Sequence, residues 1–61
     1  MEATRKLSIK LRSDGRFLAR VFWKTSKGWE RLASASFAKF PVILCTRLHT
    51  DYGTDWELEL S

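Results

Sequence analysis

The chain has 61 residues, enough for one small domain and too few for two separate cores. With 44% hydrophobic and 13% aromatic residues it is too apolar to be a disordered tail, and its formal net charge is +4. A single cysteine, Cys45, excludes an internal disulfide, and a single histidine leaves no Cys/His set for a structural zinc.

The longest apolar run, Pro41 to Cys45, falls far short of the roughly 20 residues that cross a bilayer, so no membrane role is expected. Residues 1–6 lead into no apolar signal core, and with a free thiol this points to a cytoplasmic location. Charge is unevenly placed. Residues 1–40 carry ten Lys/Arg against three acids, a balance of +7, whereas residues 41–61 carry Arg47 against four acids, a balance of −3. Such polarity suits a polyanionic partner or head-to-tail self-association.

In chain order, the first signal is a period of two. Leu7, Ile9 and Leu11 alternate with Lys6, Ser8, Lys10 and Arg12, the pattern of a half-buried strand. After Ser13-Asp14-Gly15, residues 16–24 are rich in β-branched and aromatic side chains and form a second strand. A three-residue loop with Gly15 left-handed pairs Leu11 with Phe17, Ile9 with Ala19 and Leu7 with Val21. A one-residue slip would place Arg20 among the apolar side chains, so this register is preferred. Ser26-Lys27-Gly28 is read as a second such loop, pairing Lys24 with Glu30 and Phe22 with Leu32. It leads into a third strand from Trp29 to Ser36, which leaves Arg31 at the rim of the core.

Residues 37–61 admit two readings. The first makes Asp51-Tyr52-Gly53 a third hairpin loop, pairing Leu48 with Trp56, Leu44 with Leu60 and Arg47 with Glu57. The second starts a helix at Pro41, places Pro41, Leu44, Cys45 and Leu48 on one face, and stops it at Gly53. Because Val42, Ile43 and Thr46 are β-branched and Phe40 is a poor cap, the strand is preferred. The expected fold is therefore mainly β, a single domain over residues 1–61. It is a five-stranded antiparallel sheet or half-open barrel, made of a three-stranded meander plus a C-terminal hairpin. The alternative is α+β, a three- to four-stranded antiparallel sheet with one helix at about 41–52. A meander followed by a hairpin is similar in architecture to cold-shock and other small barrels, although their aromatic strand signatures are not matched here.

The candidate site is the outward face of the first hairpin. It holds Lys6, Lys10, Arg12, Arg16, Arg20 and Lys24, with Leu18 and Phe22 among them. Like charges on one face repel unless an anion is near, cationic side chains suit phosphate, and an exposed ring offers a base a stacking surface. Lys27 and Trp29, at the second loop, extend this candidate nucleic-acid-binding set. Trp23 and Trp56 are assigned to the core. Cys45 and His49 would be neighbours only on a helix, and no third group orients them as a nucleophilic pair. Asp55, Glu57 and Glu59 lack any metal-loop pattern, and neither a phosphate loop nor a serine elbow is present.

The expectation is a non-enzymatic, largely sequence-tolerant nucleic-acid binder without cofactor or metal, favouring single strands and able to form a homodimer. The alternative is a small regulator or inhibitor that meets a protein through an edge strand or an acidic partner surface. A nucleic-acid binder would be expected to hold its acidic end away from the basic face.

Overall fold

The alternation at residues 6–12 becomes β1 (Arg5–Leu11), and the aromatic segment after it becomes β2 (Phe17–Thr25). They pair antiparallel with Leu11 opposite Phe17, Ile9 opposite Ala19 and Leu7 opposite Val21, the register expected from the sequence. These details come from a computed structural model that describes residues 3–61. Gly15 closes the loop at φ 83°, a conformation that side-chain-bearing residues rarely adopt, and its N–H donates to the Arg12 carbonyl at 3.1 Å.

β3 (Gly28–Phe37) pairs with β2 through a tighter turn than the sequence suggested. Thr25 lies opposite Gly28, so only Ser26 and Lys27 form the turn, and Lys24 faces Trp29 instead of Glu30. A bulge restores the expected register further on, where Val21 faces Ala33 and Ala19 faces Ala35. Phe22 is opposite Arg31, and Leu32 is the extra residue. Ser26 and Lys27 keep negative φ while Gly28 takes φ 110°, and the inserted residue brings Val21 and Ala19 back opposite Ala33 and Ala35, which stay exposed rather than entering the core as expected.

The expected third hairpin is absent. Residues 42–52 form the helix α1 (Val42–Tyr52), and the sequence Glu57–Leu60 forms β4, giving a four-stranded mixed sheet of order β3-β2-β1-β4. The sheet is not closed into a barrel, so the five-stranded expectation is corrected and the α+β alternative fits. β4 runs parallel to β1, with Leu7 beside Leu58 and Ile9 beside Leu60. Parallel neighbours require a crossover, and α1 supplies it.

The helix forms because the sheet has an apolar face to cover. Leu7, Ile9 and Ala19 are buried together with Leu48 of α1, and Phe17, Val21, Phe37, Leu44, Cys45 and Trp56 pack around them. A hairpin over residues 42–60 would widen the sheet and leave that face bare, whereas a helix adds the second layer. Pro41 is buried at the helix entrance, and the β-branched Val42 and Ile43 point to solvent in the first turn, where their packing cost is small. Gly53, at φ 64°, ends the helix by donating its N–H to the His49 carbonyl at 2.9 Å. No helix among the described residues is long and apolar enough to cross a membrane.

Candidate functional site

Two faces of the sheet have separate fates. Leu7, Ile9, Ala19 and Val21 turn toward α1. Lys6, Ser8 and Lys10 of β1 turn the other way, with Leu18, Arg20, Phe22 and Lys24 of β2 beside them by register. The β2–β3 turn and bulge add Trp29 and Arg31 of β3 to that second face. Among the described residues no secondary-structure element covers it.

The structure therefore brings Lys6, Lys10, Arg20, Phe22, Lys24 and Trp29 onto one surface, as expected, and places Lys27 at its end in the turn. Arg12 and Arg16 sit in the β1–β2 loop instead. Arg12 lies 3.7 Å from the Asp14 carboxylate, and Arg16 donates to the Ser36 hydroxyl at 2.8 Å and carbonyl at 3.2 Å. Both are thus occupied within the fold. Arg31 is the residue that the sequence reading missed on this face. Only the bulge reveals it, because an unbroken register from Ala33 would turn Arg31 toward the core.

The aromatic part of the surface carries a cation of its own. The Lys6 ammonium lies 4.7 Å from the Trp29 ring centroid and 5.6 Å from that of Phe22, and Lys24 approaches Trp29 at 5.8 Å. Each such contact contributes roughly 0.5–1 kcal/mol at a partly exposed site. Lys6 also reaches Glu59 at 3.8 Å, and its side chain is only 17% exposed. Lys10, Arg20 and Arg31 are exposed.

The acidic end is not held apart. β4 places Glu57 beside Lys6 and Glu59 beside Ser8, on the same face as the cations. The surface is therefore graded, acidic at the β4 edge and cationic across β2 and β3.

On the helix side, Arg5 stacks between two rings, 4.6 Å from Tyr52 and 5.8 Å from Trp23, with its Nε buried and without a hydrogen-bond partner among the described residues. Trp23 is exposed at this rim and outside the core cluster, so its assignment to the core is corrected, whereas Trp56 does pack against the core. Thr4 ties down the segment before β4: its hydroxyl donates to Asp55 Oδ2 and its N–H to Oδ1 at 2.9 Å. These bonds, the hydroxyl's first, together with the Arg5 charge hold the Asp55 carboxyl below its ordinary value of 3.8, against an opposing desolvation effect. Cys45 is partly buried against the core and His49 is exposed on α1. Among the described residues no group of three His, Cys, Asp or Glu is placed to hold a metal. Searches against protein-family models, curated proteins and solved structures found no match to this chain.

Proposed function

We propose that this protein is a non-enzymatic binder of single-stranded nucleic acid that uses the uncovered sheet face. The observation that carries this reading is the interleaving of Lys10, Arg20, Lys24 and Arg31 with Phe22, Trp29 and Leu18 on one surface. Phosphates meet the cations, and unpaired bases lie against Phe22 and Trp29, where stacking tolerates any base. A base that takes a ring face displaces the Lys6 ammonium from it and leaves that ammonium to Glu59. The strand lies across β2 and β3, because Glu57 and Glu59 repel its backbone from the β4 side.

Fluorescence anisotropy with labelled single-stranded and duplex oligonucleotides of several sequences tests this. Single strands should bind more tightly than duplexes, with little dependence on sequence. Phe22→Ala should cost about 1–3 kcal/mol on single strands while leaving the salt dependence nearly unchanged. A wild-type protein that ignores every oligonucleotide at low salt, where screening is weakest, would overturn the proposal.

A further inference from the structure

The sheet has two outer edges, and they are unlike. β3 is interrupted by the bulge at Leu32, which breaks the regular spacing a further strand needs. β4 has no such interruption. In a strand, the N–H and C=O of one residue point to the same side, and successive residues alternate. Ser61 donates its N–H inward to the Ile9 carbonyl at 3.1 Å, so Glu57 and Glu59 point their backbone groups toward β1 in the same sense. Leu58 and Leu60 therefore direct theirs outward, away from the sheet.

The side chains at this edge are sorted as sharply. On the helix side, Leu58, Leu60 and Leu11 remain 44%, 63% and 57% exposed, because the core lies under α1 and, among the described residues, nothing covers the margin beyond it. On the opposite side stand Glu57 and Glu59, and Glu59 stays more than half exposed despite its contact with Lys6. From this edge we infer a peptide-docking site: β4 accepts, as an added strand, an extended segment of another protein in which basic and apolar residues alternate.

Charge and pattern select that occupant over a second copy of β4. In an antiparallel β4–β4 pair, aligning Leu58 with its own copy sets Glu57 against Glu59 twice. Shifting by one residue sets each glutamate opposite a leucine and mixes the two faces. An alternating basic and apolar strand satisfies both sides at once. It is the pattern that β1 already offers on the inner side of β4, where Lys6 stands beside Glu57 and Leu7 beside Leu58. Main-chain bonds to Leu58 and Leu60 supply affinity, and the alternation supplies selectivity. The site borders the cationic face through Glu57 and Glu59 but rests on the β4 backbone edge, which nucleic-acid binding does not use, so either reading can fail alone.

The test uses the intact protein and two synthetic peptides of equal composition, Lys-Leu-Lys-Ile-Lys-Leu and its block isomer Lys-Lys-Lys-Leu-Ile-Leu. Amide exchange is followed by NMR during each titration. The alternating peptide should protect the Leu58 and Leu60 amides, and the block isomer should not. Replacing both glutamates, Glu57→Gln with Glu59→Gln, should weaken the alternating peptide about 2- to 30-fold, as two cross-strand charge pairs are lost. The reversed pair, Glu57→Lys with Glu59→Lys, should prefer Glu-Leu-Glu-Ile-Glu-Leu. Because that variant sets like charge beside Lys6, the glutamine pair decides if it does not fold. Equal protection by both isomers, or none at Leu58 and Leu60, overturns the proposal. Protection that appears without peptide and grows with protein concentration also overturns it, by making a second copy the occupant.

Discussion

Neutralising Lys10 and Arg20 together, as Lys10→Gln and Arg20→Gln, is the most direct probe of the cationic face. Both are exposed on the uncovered side of the sheet, opposite Leu18 and Ser8 respectively, and neither supports the core. Arg12 and Arg16 are poorer choices, since their loss would also disturb the β1–β2 loop and its contact with Ser36. Counting Lys10, Arg20, Lys24 and Arg31 as phosphate contacts gives a log–log salt slope of about −2.8 for single strands, at roughly 0.7 per contact. Between about 50 and about 200 mM salt, affinity should then fall roughly 50-fold for the wild type. The double variant keeps two contacts, so its slope should be about −1.4 and its loss over the same range roughly 7-fold. Anisotropy titrations at four or more salt concentrations read both slopes directly. An unchanged slope in the variant would show that these side chains do not meet phosphate, whatever the affinity at one salt. A loss confined to some sequences would argue against backbone contact altogether.

Two further outcomes test the fold that carries this face. Leu48 is the buried anchor of α1, so Leu48→Ala should cost about 2–5 kcal/mol in urea denaturation, a large share of the roughly 3–9 kcal/mol expected for a domain of this size. A loss below about 1 kcal/mol would mean that α1 is not docked on the sheet. Asp55 has its carboxyl pKa lowered by Thr4, so its ionised form adds stability that is present above the unfolded value and lost as pH falls through the folded one. Wild type should therefore exceed Asp55→Asn in urea midpoint near neutral pH and converge with it below the ordinary value of 3.8. A gap that stays constant into acid would remove the Thr4–Asp55 contact from the account.

The first hairpin was legible because its evidence is local. Alternation in β1 fixes one face, Gly15 fixes the loop, and a slipped register would have put Arg20 beside apolar partners. The second hairpin was legible only up to the bulge. Val21 opposite Ala33 follows from the apolar pattern, but an extra residue such as Leu32 has no signature in alternation. Its omission turned Arg31 to the wrong side in the expected register. Residues 42–60 misled for a different reason. Cross-strand pairs such as Leu48 with Trp56 are attractive one at a time, and β-branched residues at 42, 43 and 46 disfavour a helix locally. What decides the matter is the uncovered apolar face of β1 and β2, about 40 residues away in sequence, which only a second layer can bury. The strand character of β4 was visible in Trp56 to Leu60, whereas its partner was not. That partner determines whether the glutamates border the cationic face, so the acidic rim could not be read from the sequence.

The position of β1 between β2 and β4 has a consequence for how the molecule comes together. The two meander hairpins can form from neighbouring residues, but the strand that closes the other flank must be brought back across almost the whole chain. Thr4 and Asp55 are 51 positions apart, and the β1–β4 ladder continues at that same separation. Ordering so long a loop for four pairs is entropically unfavourable until α1 has settled, so β4 should join after the rate-limiting step and leave first in partial opening. On the ribosome, the inner flank of β1 waits bare until β4 emerges. Through that interval the alternating cationic and apolar strand at the centre of the native sheet is itself an edge.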